Sequence, residues 1–253
     1  MKHWIIFIAI IVIALAGVFG VAYVSKQDAP EHKEGYEEEH TGPGYTLEEI
    51  PIEDLKDSIP DLSREVQFSG NLSVEAQNLI KEKTAEAQGR LTEDPTRGDD
   101  WLELGVLFHS AGDFEGARLV WEFLADIDKT NVVAYDNLAK LYHFSLRDFP
   151  KAESYFKQSI AINGASLTPY LGLYELYRYS YKTNTTLAED TLKEAIKKFP
   201  EVIEIHLTLG AYYRDIGRKA DARATLLEGM DKARDANNVD LMSAFGVELD
   251  RVQ

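Results

Sequence analysis

Between residues 101 and 230 the chain sets down one series of apolar positions four times. Trp101, Leu104, Gly105 and Phe108 are matched by Tyr135, Leu138, Ala139 and Tyr142. Tyr170, Leu173, Tyr174 and Tyr177 follow, and then His206, Leu209, Gly210 and Tyr213. The bulky members lie three or four residues apart, so each set occupies one face of a helix. After each set come a small residue and a large apolar one four positions on: Ala117/Trp121, Ala152/Phe156, Ala188/Leu192 and Ala222/Leu226. That spacing predicts a second helix per set. Turn signals separate the two helices at Gly112-Asp113, Asp148-Phe149-Pro150, Asn184-Thr185 and Gly217-Arg218. Asp94-Pro95 and Phe199-Pro200 end the helices before the first and fourth sets.

The intervals between sets are 34, 35 and 36 residues. The first set lies nine residues from its small partner and the fourth also nine, whereas the second and third lie ten and eleven away. The extra residues therefore fall between the two helices of a pair, where a loop takes them up at small entropic cost. Inside a helix each would swing the apolar face by about 100°. Two flanking amphipathic helices are predicted, because a stack of hairpins must cover its ends. One runs from Ser73 to Leu91 with Val74, Leu79, Ile80, Ala87 and Leu91 apolar, and one from Asp240 to Val252 with Leu241, Met242, Phe245 and Leu249 apolar.

Far from the repeats, Trp4 to Val24 is a run of 21 residues without a charge. As a helix it extends about 31 Å, against a bilayer core of roughly 30 Å. Trp4 and Tyr23 stand near its two ends, where amphipathic rings favour the membrane interface. A single N-terminal transmembrane helix is expected. Cleavage after Ala14-Leu15-Ala16 is the alternative, although the apolar run continues beyond it. The very short segment ahead of the run favours an N-in orientation, with the bulk of the chain on the extracytoplasmic side.

The net charge of −16 is unevenly spread, with 4 Lys/Arg against 13 Asp/Glu in residues 25–73. Glu31 to Gly44 has glycine, acid and no apolar periodicity, which predicts a solvated tether. No basic face is offered to a nucleic acid. The absence of cysteine removes disulfides, thiolate metal sites and thiol nucleophiles. There is no Gly-rich phosphate loop, H-E-x-x-H or G-x-S-x-G pattern. No enzyme, cofactor or small-molecule substrate is therefore expected. His109 and His143 occupy equivalent places 34 residues apart, but as metal ligands they lack a third partner and read as groove histidines.

These residues resemble the tetratricopeptide repeat (TPR) over roughly residues 92–236. Departures are Tyr174 in place of a small residue, which predicts wider packing in the third repeat, and His206 in place of an aromatic. The resemblance implies an all-α solenoid of four helical hairpins with flanking helices, preceded by the single transmembrane helix. Its parts would be an anchor at 1–25, an acidic flexible linker at 26–72 and a flanking helix at 73–92. Repeats would follow at 98–131, 132–166, 167–202 and 203–236, with a capping helix at 238–253. It further implies a concave groove for protein or peptide segments, lined by the first helices. Counted from the signature, the groove residues are Leu102, Val106 and His109, then Asp136, Asn137, Lys140 and His143, then Leu171, Glu175 and Arg178, and lastly Leu207 and Arg214. Lys140, Arg178 and Arg214 would make one edge basic, suiting a partner with apolar anchors and a few acidic groups. The function implied is that of an adaptor or scaffold assembling a membrane or envelope complex. The alternative is a secreted or periplasmic chaperone-like peptide binder freed by cleavage.

Overall fold

A computed structural model describes residues 58–252. The expected span at 4–24 and the tether as far as residue 57 lie outside the described residues. Ten α-helices follow one another without a strand among the described residues. They are α1 (Val74–Glu93), α2 (Gly98–Ala111), α3 (Phe114–Ile127), α4 (Val132–Lys140) and α5 (Phe149–Ile162). Then come α6 (Thr168–Glu175), α7 (Leu187–Lys198), α8 (Glu204–Asp215), α9 (Lys219–Asp235) and α10 (Val239–Asp250). No helix among the described residues is long and apolar enough to cross a membrane.

Helices pair as α2/α3, α4/α5, α6/α7 and α8/α9, and each second helix packs on the first helix of the next pair. Helix α1 covers the start of the stack and α10 covers its end. The periodic residues form one continuous core, with Trp101, Phe108, Phe156, Tyr170, Leu192 and Phe245 almost wholly buried. Small residues set the approach within a pair. A Cβ at Gly105 would overlap the Trp121 indole, and one at Gly210 would stand 2.5 Å from a Leu226 methyl. His206 fills its aromatic slot at 2% exposure, with Nδ1 3.3 Å from the Ile203 carbonyl oxygen.

In the third repeat the close approach has moved. A Cβ at Gly172 would strike the Phe156 ring of the preceding repeat. Tyr174 instead turns its ring toward Tyr212 and Tyr179, 6.2 and 6.4 Å away. Its bulk is thus directed onto the tyrosines of its own π turn and of the next repeat.

The extra residues of the second and third repeats are not all in loops. Helices α4 and α6 run on into π-helical turns, Leu141–Ser145 and Leu176–Ser180. The amides of Leu146 and Tyr181 donate to the carbonyls of Leu141 and Leu176, five residues back, at 2.9 and 2.7 Å. A left-handed residue then ends each first helix: Gly112, Arg147, Lys182 and Gly217. The spacing from that residue to the following alanine is the same in repeats one, two and four, so the second repeat's insertion sits wholly in its π turn. The third repeat's two are split between π turn and loop. A wider last turn absorbs a residue without rotating the apolar face of its helix, because no further turn of that helix follows it.

Part of the expected tether is also packed. Arg64 Nη2 reaches both Asp113 carboxylate oxygens at 2.7 and 2.9 Å, and the Gln67 amide donates to Asp113 Oδ2 at 3.1 Å. The Ser69 amide donates to the Ala111 carbonyl at 2.9 Å, and Val66 is buried. Asp113 also caps α3 through the Gly116 amide, so one carboxylate fastens both the helix start and the strap over it.

Between repeats, carboxylates on the second helices clasp the next repeat. Glu153 accepts from Lys157 (2.7 Å), Tyr177 (2.7 Å) and Lys182 (2.7 Å). Glu189 does the same with Lys193 (2.6 Å), Tyr213 (2.8 Å) and Arg218 (2.5 Å). At the first junction Glu122 takes the Tyr142 hydroxyl at 2.5 Å.

Candidate functional site

The first helices of the four pairs carry the residues read as groove-facing, and these fall into three groups. Leu102, Val106, Leu171 and Leu207 are half-buried, each packed by one side against the core. The second group lies on and after α4. Asp136 is half-buried, and its Oδ1 accepts the Ser159 hydroxyl at 2.5 Å. Burial raises its pKa, against the opposing pull of that hydrogen bond and of Lys140. Asn137 is 8% exposed, and its Nδ2 makes no hydrogen bond.

His143 is more deeply placed than a groove-lining role requires, at 4% exposure. Its ring stacks on Phe144 at 4.0 Å, and its Nε2 lies 2.9 Å from Ser180 Oγ in the next repeat. Burial and the nearby charge of Arg147 lower its pKa, which keeps the imidazole neutral at pH 7. His109 lies against Phe114 and Trp121, with ring centroids 5.4 and 6.0 Å away, and burial lowers its pKa too. No group of three or more metal-ligating side chains stands together among the described residues.

The third group surrounds a cleft. Between α6, α8 and α10 lies a cavity of about 640 Å³ lined by Tyr174, Glu175, Tyr179, Leu207, Ala211, Arg214 and residues of α10. Its lining is mixed, with Leu207, Ala211, Ala244 and Val247 apolar and Glu175, Arg214, Asp215 and Glu248 charged. Glu175 stands at the rim, where partial desolvation raises its pKa and Lys140 pulls it down. Helix α10 supplies Ala244, Val247 and Glu248, which the sequence reading assigned no role beyond capping. The signal was present: Leu241, Phe245 and Leu249 point one stripe to the core, leaving Val247 and Glu248 on the adjoining stripe.

The basic edge expected from Arg178 and Arg214 is internally paired. Arg178 lies 3.5 Å from Asp215, its guanidinium over the rings of Tyr212 (5.2 Å) and Tyr179 (5.5 Å). Arg214 pairs with Asp215 at 2.9 Å and with Glu248. Signature counting located the cations on their helices but had no access to the acids on other helices that meet them, Asp215 of α8 for Arg178 and Glu248 of α10 for Arg214.

No protein-family model and no curated protein matches the chain. Solved structures do. MamA, a TPR protein, superposes with a TM-score of 0.51 and 17% identity, over 66% of this chain and 99% of that one. TTC0263, a thermophilic TPR protein of Thermus thermophilus, aligns with a TM-score of 0.45 and 20% identity, over 70% of this chain and 94% of that one. With paired helices stacked in register and closed at both ends, residues 74–250 have the fold of a tetratricopeptide-repeat solenoid.

Proposed function

We propose that this chain is a single-pass membrane adaptor that holds a segment of another protein in the cleft lined by its first helices. The observation that carries the reading is the cavity of about 640 Å³ between α6, α8 and α10. It combines apolar side chains with charges that are paired among themselves, a lining that suits the side chains of an extended or helical segment. The half-buried leucines and valine along α2, α6 and α8 would continue its apolar lining along the stack. The anchor is the uncharged run at 4–24, followed by a tether that sets the reach of the repeats. The repeat domain would lie on the extracytoplasmic side, steadying partners of a membrane or envelope complex without catalysing a reaction on them.

The test replaces Ala211 in the cleft with a photo-crosslinking residue in the full chain and identifies what it captures in intact membranes. Leu102→Asp combined with Val106→Asp is expected to preserve helicity by circular dichroism and to abolish capture. Undiminished capture by that double variant would remove the groove assignment. The Ala14-Leu15-Ala16 sequence favours the second reading, a binder released by cleavage. Mass measurement of the mature chain separates the two, since a first residue at 17 would discard the anchor.

A further inference from the structure

Every cation around the cleft between α6, α8 and α10 is already met by a carboxylate. Arg214 pairs with Asp215 and Glu248, Arg178 lies 3.5 Å from Asp215, and Arg251 pairs with Glu248. Lys140 acts on both Asp136 and Glu175, and even so partial burial keeps the Glu175 pKa raised. A bound segment therefore finds no spare positive charge in this part of the groove.

Two carboxylates at the same cleft are left over. Glu204 lies in the first turn of α8 and Asp240 in the first turn of α10, and both are exposed. Among the described residues neither side chain makes an ion pair or a hydrogen bond. Side chains four residues apart share a helix face. Glu204 thus stands one turn before Thr208, and Asp240 one turn before Ala244, both of which line the cleft. Helix α10 also repeats the set of α8 at an interval of 36 residues, with Met242, Phe245, Gly246 and Leu249. Glu204 and Asp240 therefore hold equivalent places on two helices that pack side by side, where α6 has the uncharged Thr168. First-turn acids complement the helix dipole. These two do so at the end of a cavity whose apolar lining begins one turn on.

We propose that the cleft takes a basic, apolar segment of its partner protein, with Lys or Arg side chains meeting Glu204 and Asp240 and a neighbouring apolar side chain seated on Leu207, Ala211, Ala244 and Val247. The inference rests on the cleft being the binding site, as proposed above, and adds the charge of what it holds. It reverses the acidic partner expected from Lys140, Arg178 and Arg214, because the folded chain neutralises those cations itself. An acidic segment would bring its carboxylates against unpaired acids, in a chain of net charge −16. Exposed ion pairs are individually weak. The apolar contacts supply most of the affinity, and the charges select the partner and speed its approach.

The probe is a fluorescein-labelled peptide, Lys-Lys-Ala-Leu-Ala-Leu-Lys-Lys, titrated with the full chain in neutral detergent micelles at about 0.15 M salt and read by anisotropy. Its counterpart carries glutamate for every lysine. The basic probe is expected to bind saturably and the acidic one at least about tenfold more weakly. Glu204→Gln combined with Asp240→Gln is expected to weaken the basic probe about fivefold, the loss of two exposed charge contacts. Glu75→Gln combined with Glu82→Gln makes the same change of net charge on α1, at the other end of the stack, and is expected to leave binding unchanged. Circular dichroism of both pairs is expected to match the parent, because all four side chains are exposed. An equal loss in the α1 pair would reduce the effect to the overall field of an acidic chain and overturn the inference. So would an absence of binding by the basic probe at submillimolar concentration. Ala211→Trp, which fills the cleft, is expected to abolish binding of the basic probe. If the acidic probe binds as tightly as the basic one and Ala211→Trp abolishes both, the cleft stands and only the charge of its occupant falls. Basic-probe binding that Ala211→Trp leaves intact would remove the cleft itself.

Discussion

Arg147 and Lys182 carry φ values of 56°, where their counterparts in the outer repeats are Gly112 and Gly217. A residue with a Cβ pays about 1–2 kcal/mol in that region. Arg147→Gly is therefore expected to raise stability by up to about 1 kcal/mol, partly offset by glycine's greater freedom when unfolded, and to raise the melting temperature accordingly. Lys182→Gly gains the same relief but loses the ion pair to Glu153, so no rise is expected there. Gly105 gives the opposite case. Because a Cβ would enter the Trp121 indole, Gly105→Ala is expected to cost about 2–3 kcal/mol in denaturant unfolding. Gly105 was legible as a contact residue from its place beside Leu104. Gly172 was not, since its need comes from Phe156 in another repeat.

Elements are held to one another by charge as well as by apolar surface. Burial by itself would raise the pKa of Glu153, but hydrogen bonds from Lys157, Lys182 and Tyr177 outweigh it and hold the carboxyl at about 2, against an ordinary value of 4.5. A depressed carboxyl contributes stability that is complete above about pH 4.5 and is lost as pH falls toward 2. Glu153→Gln is expected to lower the melting temperature at pH 7 and to flatten its fall across that window. Glu189, also lowered by its partners against burial, would still titrate in the variant and should leave part of the slope. A Glu153/Tyr177 double-mutant cycle is expected to give a coupling of about 1–2 kcal/mol. At the other end of the stack, Asp113→Ala removes the α3 cap and the strap's anchor together. It is expected to cost more than Arg64→Ala, about 2–3 kcal/mol against about 1, and to speed limited proteolysis between residues 58 and 73. Neither clasp nor strap was legible beforehand, because each joins groups 24 to 49 positions apart in the chain.

Taken whole, the described chain is a stack in which each hairpin touches only its neighbours, so damage at one junction should propagate weakly. A Glu153→Ala chain is expected to unfold in broader steps than the parent, with hydrogen exchange rising first on the two sides of the second junction. The strict recurrence of bulky and small residues determined the helical hairpins, their number and their order. Helix periodicity is local, and its faces can be counted from spacing alone. It also determined which residues stand on the first helices, and the uncharged run at 4–24 by itself is long enough for a bilayer. Only the tertiary structure decided where the added residues went, which acids neutralise Arg178 and Arg214, and that α10 walls a cleft. It alone braces the exposed rings of Phe144 on His143 and of Tyr179 on Tyr174 and Arg178. Those outcomes depend on how far and at what angle one hairpin lies on the next, and such distances arise from the joint fit of side chains remote in sequence.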